Sequence, residues 1–214
     1  MTPISKVFFQ CSKLDIPDYV ISMIKTKLTP EWKYLYFTDE SCLTFFKEHP
    51  IPEFPNIINK FNSFTKGQHK SDIFRYYFLY VNGGVYMDSD AMIYEPIEDV
   101  IQNYSFFSVN SSVFPKTFFQ GIIGCSPNNP IIYDALVHAY NTDPVILLNE
   151  YHYFCKYLYY ICVHFHYDGN NIVFREHRNI NNITVDTVID KNDKILFRHF
   201  HYYKIIPYDA DDMV

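Results

Sequence analysis

Two aspartates one residue apart, Asp88 and Asp90, close the short apolar run at residues 85–88. In an extended chain, residues i and i+2 point to the same side, so both carboxylates can converge on one cation. Oxygen ligands suit a hard or borderline divalent ion such as Mg²⁺ or Mn²⁺. Asp72 and Arg75 lie three apart in a helical pattern, which puts their Cβ atoms about 5–6 Å from each other. From Ile73 to Val81 the only charged residue is Arg75. A helix apolar nearly all round is buried, so this pair is expected against the core or lining a pocket. His199 and His201 share one side of a strand pattern and offer a third ligand, His199 being the first choice. The bland alternatives are two solvated loop acids and a surface ion pair.

The elements that must position these groups alternate in type. Residues 6–11 form an apolar run that reads as a buried strand. Pro17 and Asp18 open a helix with Val20, Ile21, Ile24 and Leu28 at helical spacing, and Pro30 stops it. A strand at 33–37 and a helix from 38 to 48 follow, then an irregular stretch marked by Pro50, Pro52 and Pro55. A helix over 66–81 ends at Asn82-Gly83-Gly84, where glycine supplies a positive φ. The strand at 85–88 places Asp88-Ser89-Asp90 at its carboxyl end, where open α/β sheets bind ligands. Further strands are predicted at 105–109, 118–125, 171–174, 183–188 and 195–203. Helices are predicted at 130–140 and 149–165, the latter with Phe154, Leu158, Ile161, Cys162 and Phe165 on one face. This order predicts a single α/β domain, mostly parallel in its first half and mixed in its second.

Composition narrows the function. The 214 residues are 48 % hydrophobic, enough for a substantial core, and 18 basic against 24 acidic residues leave a net charge of −6. A broad electrostatic nucleic-acid binder is excluded, and an anionic substrate would need a metal ion or a few placed cations. No apolar stretch is long enough to span a membrane, and residues 1–10 do not resemble a secretion signal. A cytoplasmic location is the expectation. Five cysteines without a C-x-x-C pair argue against a disulfide framework or a thiolate zinc site and are expected as buried thiols. The G-x-G-x-x-G, Walker, H-E-x-x-H and G-x-S-x-G patterns are absent. Met92 stands where an EF-hand loop needs an oxygen ligand.

Taken together, Ser71, Asp72, Arg75, Leu79, Gly83, Gly84, Tyr86, Asp88 and Asp90 meet every fixed position of S/A-D-x-x-R-x-x-x-L-x-x-x-G-G-x-Y-x-D-x-D. That run resembles the sugar-binding region containing the DXD motif of glycosyltransferase family 32, related to the clostridial glucosylating toxins and to yeast-type mannosyltransferases. The likeness extends over about residues 4–140. It implies a GT-A, Rossmann-like nucleotide-sugar-binding fold, with a donor-binding part over about 1–125 and an acceptor-side part over about 126–214. It also implies a retaining, Mn²⁺- or Mg²⁺-dependent transfer from a nucleotide-sugar donor, UDP-linked before GDP-linked, to a glycan or other hydroxyl acceptor.

Carried over by position, Asp90 coordinates the metal directly and Asp88 contacts the ribose or a metal-bound water, with His199 completing the metal set. Asp72 and Arg75 hold the donor sugar. Gly84 and Tyr86 shape the backbone around the diphosphate. Gln10 meets the base, and Gln120 lies on a later donor-side loop. Ser12 stands where many relatives carry an aromatic that stacks on the base, and Lys204-Ile205 replaces a frequent Ser-Trp after the histidine. The aromatic stretch 151–167 contains one cation, Lys156, and is expected as core helix or acceptor groove rather than a membrane anchor. The rivals are a non-catalytic nucleotide-sugar or glycan-binding module and a DxD phosphohydrolase, the latter disfavoured by Met92.

Overall fold

The structure, a computed structural model, describes residues 2–13, 15–178 and 185–200. It opens with strand β1 (Val7–Cys11), helix α1 (Asp18–Thr26), strand β2 (Lys33–Phe37) and helix α2 (Asp39–Glu48). A reciprocal capping box starts α2: Ser41 N donates to Thr38 Oγ1 and Thr38 N donates to Ser41 Oγ. Helices α3 (Ile57–Ser63) and α4 (Gly67–Asn82) lead into strand β3 (Gly84–Met87). Next come β4 (Ala91–Ile93), α5 (Ile97–Ile101), β5 (Phe106–Asn110), β6 (Phe118–Cys125) and α6 (Pro130–Asn141). The chain continues through α7 (Ile146–Asn149), α8 (Tyr153–His164), β7 (Asn171–Arg178), β8 (Val185–Ile189) and β9 (Ile195–Phe200).

Four elements, α3, β4, α5 and α7, were not expected, because runs of three to seven residues show no usable period. The helix expected over 149–165 is found as α8, starting four residues later at Tyr153, and the short helix α7 ends at Asn149 ahead of it. Leu147, Phe154, Leu158 and Ile161, all buried, keep a helical rhythm across the gap between the two. The strands expected at 183–188 and 195–203 lie partly outside the described residues. Among the cysteines only Cys42 and Cys125 are buried, whereas Cys11, Cys155 and Cys162 are half-buried thiols. Cys155 lines the cleft described below, Cys11 ends β1 at a small separate cavity, and Cys162 packs at the edge of the core.

The nine strands form one sheet in the order β2-β1-β3-β6-β5-β7-β8-β9-β4. The β2-β1-β3 part is parallel, as predicted, and β6 then joins β3 antiparallel. Side chains alternate across the sheet: Phe8 enters one core and Phe9 the other. One core lies under α2, α3, α4, α6 and α8, and the second is closed by α1, α5 and β4.

Strands β3 and β4 are six places apart in the sheet, roughly 29 Å if it were flat. Only three residues, Asp88 to Asp90, join them. Four Cα steps reach at most about 14 Å, so the sheet must curl to bring its β4 edge back beside β3. The Asp-Ser-Asp turn is the link across that curl.

Candidate active site

The turn is clamped on several sides. Gln10 of β1 donates through Nε2 to Asp88 O at 3.0 Å, and its Oε1 accepts from Tyr34 OH at 2.7 Å. Asp88 N donates to Gly121 O at 2.7 Å, and Phe200 N donates to Asp90 O at 2.8 Å. Tyr86 and Asp88 share one side of β3, and the Tyr86 hydroxyl donates to Asp88 Oδ1 at 2.5 Å. A Cβ at Gly121 would come within 2.6 Å of Asp88 Oδ2, so only glycine leaves that carboxylate its place.

Helix α4 supplies the second half of the site. Arg75 Nη2 lies 3.3 Å from Asp72 Oδ1 and 3.5 Å from Asp88 Oδ1. Its Nη1 donates to Gln120 O, and its guanidinium sits 4.1 Å above the Tyr86 ring. Arg75 is 4 % exposed, so its charge is held by protein partners. Burial works against the cation, but Tyr86, Asp72 and Asp88 keep its pKa above the ordinary value. Burial likewise raises the Asp88 pKa; Arg75 opposes that rise and Asp90 adds to it. The pair is thus buried against the core and lines a pocket, as the apolar surroundings of Arg75 predicted.

The curl brings in the third element. Strand β4 pairs antiparallel with β9 and sets Ala91 opposite His199. His199 Nε2 is 3.6 Å from Asp90 Oδ2, and its ring lies on Phe119 at 4.6 Å between centroids. Burial disfavours the charged imidazole, but Asp90, with Asp88 and Glu176, outweighs it and raises the His199 pKa. His201 lies outside the described residues. Among the described residues no three His, Cys, Asp or Glu side chains converge as a ready-made metal cluster. Asp90 and His199 nevertheless present oxygen and nitrogen donors of the kind a Mn²⁺ or Mg²⁺ ion accepts, both partly open.

These groups border a cleft of about 460 Å³, whose lining includes Asp72, Arg75, Asp88, Asp90, Gln120 and His199. Gln10 and Tyr86 lie buried beneath the turn and hold it. Gly84 starts β3, where a Cβ would meet Val7 O at 2.5 Å, so it packs β3 against β1 instead of lining the cleft. Ser12 borders a separate cavity of about 110 Å³ with Asp39 and Lys70. Sequence reasoning missed Glu176 of β7, Asp186 of β8 and Phe114, all of which line the cleft, whereas Tyr151 and His152, also in the lining, open the aromatic stretch expected as core helix or acceptor groove. For Asp186 a signal existed, an acid inside the apolar strand Val185–Ile189, and it is fully buried. For Glu176 and Phe114 none did.

Residues 17–107 match the family described as "Glycosyltransferase sugar-binding region containing DXD motif". The DXD region contains Gln68, Asp72, Arg75, Asp88 and Asp90, and the other cleft residues follow it in the chain. Among curated relatives, inositol phosphoceramide mannosyltransferase 1 of Schizosaccharomyces pombe is 28 % identical over 139 residues, 59 % of this chain and 42 % of the relative. Mannosyl phosphorylinositol ceramide synthase SUR1 of Saccharomyces cerevisiae is 28 % identical over 51 % of this chain and 27 % of its own length. The uncharacterized glycosyltransferase L373 of Acanthamoeba polyphaga mimivirus is 26 % identical over 49 % and 41 %. The chain therefore spans well under half the length of these relatives. Among solved structures, PaToxG glycosyltransferase superposes with a TM-score of 0.53 at 16 % identity, covering 74 % of this chain and 68 % of that one. The DXD region thus sits in a GT-A-type fold, a single mixed α/β domain with a curled sheet. No helix among the described residues is long and apolar enough to cross a membrane.

Proposed function

We propose that this chain is a metal-dependent, retaining glycosyltransferase that moves a hexose from a nucleotide-sugar donor to a hydroxyl acceptor such as a glycan. UDP-sugars come first and GDP-sugars second. One observation supports the reading most: Arg75 ties Asp72 of α4 to Asp88 of the turn inside one cleft, with Asp90 and His199 paired in the same lining. The relatives named as mannosyltransferases put mannose among the first sugars to try. We assign residues up to about 125 to the donor side and the remainder to the acceptor side, and we place the reaction in the cytoplasm.

In this reading Asp90 and His199, with Asp88 beside them, would hold Mn²⁺ or Mg²⁺. When bound, the ion stabilises the negative charge that builds on the leaving diphosphate. Asp72 fixes a donor-sugar hydroxyl, an orientation effect. Gln120 contributes its side-chain amide: Tyr76 OH donates to its Oε1 at 2.6 Å, while its buried Nε2 has no partner among the described residues and awaits a ligand oxygen. Arg75 acts by holding Asp72 and Asp88 and by adding a fixed positive potential. Gln10, Gly84 and Tyr86 act from beneath by fixing the turn and its strand, and Ser12 is assigned to the nucleoside end. The acceptor hydroxyl attacks on the face the diphosphate leaves, so the anomeric configuration is kept.

The test is nucleotide release from a panel of UDP- and GDP-sugars with Mn²⁺ or EDTA, without acceptor, together with thermal stabilisation by the same ligands. Slow release from one donor, lost with EDTA, establishes the transferase. Stabilisation without release supports the second reading, a non-catalytic nucleotide-sugar or glycan-binding module. That reading is favoured by Ser12, which stands where many relatives carry an aromatic that stacks on the base. Neither signal removes both.

A further inference from the structure

We infer that Phe114, Tyr151 and His152 form the acceptor subsite of the cleft, and that its occupant is an uncharged pyranose ring. The inference rests on the transferase reading and adds the class of acceptor to it. All three residues line the cleft that contains the Asp-Ser-Asp turn. Phe114 is 44 % and Tyr151 52 % exposed, a large apolar surface to leave in water beside a polar site. The rings touch one another: Phe114 and His152 have centroids 3.9 Å apart, and Tyr151 meets His152 at 4.7 Å.

The loop that carries Phe114 is held in place. Buried Glu176 accepts through Oε2 from Ser111 Oγ and from Ser112 N, each at 2.9 Å. Ser111 Oγ in turn accepts from Val113 N and Phe114 N, and Thr117 Oγ1 donates to Phe114 O at 2.6 Å. Tyr151 and His152 come from the gap between α7 and α8. A fixed, exposed platform of rings next to a group-transfer site suits a flat, weakly polar ligand face. The face of an aromatic ring is electron-rich, and the C–H face of a pyranose is weakly positive.

Charge narrows the occupant further. The cleft lining contains five carboxylates, Asp72, Asp88, Asp90, Glu176 and Asp186, against the guanidinium of Arg75, already engaged by Asp72 and Asp88, and His199, already beside Asp90. Burial and nearby Lys156 lower the His152 pKa, so the platform adds no positive charge at neutral pH. Lys66 approaches Tyr151 to 5.8 Å from its ring centroid but does not line the cleft. A phosphorylated acceptor would bring more negative charge into an acidic site, so the lining selects a neutral sugar.

The experiment is saturation-transfer NMR on the whole protein with methyl α-mannopyranoside, methyl β-glucopyranoside and glucose 6-phosphate as probes. The ring C–H protons of at least one methyl glycoside should receive saturation, and glucose 6-phosphate should receive far less. Phe114→Ala should weaken the glycoside signal and raise the acceptor KM about tenfold, the size expected for one aromatic contact. Phe114→Tyr should restore both. Equal saturation of the phosphorylated probe, an unchanged signal in Phe114→Ala, or no saturation by any probe in the wild-type protein would each overturn the inference. Failure of the transferase reading shows separately, as loss of donor cleavage, which needs no acceptor.

Discussion

Asp90 Oδ2 and His199 Nε2 stand 3.6 Å apart although 109 residues separate them along the chain. Backbone pairing sets the contact, since β4 and β9 run antiparallel with Ala91 opposite His199 and Phe200 N donates to Asp90 O. Asp90→Asn and His199→Ala should therefore each weaken Mn²⁺ binding by at least about tenfold, as loss of metal-site groups generally does. Mn²⁺ titration followed by electron paramagnetic resonance reads this directly. Full affinity in Asp90→Asn would remove Asp90 from the metal site.

Arg75 is the buried partner of two carboxylates. Removing it leaves Asp72 and Asp88 without their cation, which typically costs about 3–5 kcal/mol. Arg75→Ala should lower the urea midpoint markedly and abolish transfer. Arg75→Lys should recover part of the stability, because the charge returns. It should recover little activity, because one ammonium cannot reproduce the planar contacts to Asp72, Asp88 and Gln120 O. Equal kcat/KM in Arg75→Lys and wild type would reduce Arg75 to a point charge.

Gly121 faces Asp88 Oδ2 and the Phe119 ring, where an added Cβ would overlap both. Gly121→Ala should cost about 1–3 kcal/mol as an overpacking change. It should also displace the Asp88 carboxylate and slow donor cleavage. A crystal structure of the variant with Asp88 unmoved and full activity would contradict this placement.

His138 is packed flat on Tyr157 at 3.5 Å between ring centroids, with the Tyr153 ring at 5.2 Å, and burial lowers its pKa from 6.5 to about 4. The unfolded chain takes up this proton near pH 6.5 and the folded chain only near 4, so the unfolded state binds more protons in between. The contribution is fully present above pH 6.5 and is lost as pH falls towards 4. Urea unfolding of wild type and His138→Phe at pH 7.5, 5.5 and 4.5 should show a shallower decline in the variant. Parallel declines would place the titration elsewhere.

Much of this protein is determined locally and was legible in its residues. The Asp72-x-x-Arg75 spacing on an almost wholly apolar helix required burial, and helix α4 buries both residues. The parallel β1, β2 and β3 opening followed from alternating periodicities, and Asn82-Gly83-Gly84 ended α4 where glycine tolerates φ of +66° at Gly83. What tertiary structure alone decided is the company these groups keep. The curl of the sheet, forced by a three-residue link between strands six places apart, carries His199 to Asp90. The same curl lines the cleft with Asp186, whose apolar strand marks an unusual acid but not its destination, and with Glu176, whose strand gives no local sign at all. The gap between α7 and α8 leaves the helical rhythm intact yet delivers Tyr151 and His152 to the cleft beside Phe114. Periodicity reports which face of an element is buried; it has no term for which distant element that face will meet, because that depends on how the whole sheet closes.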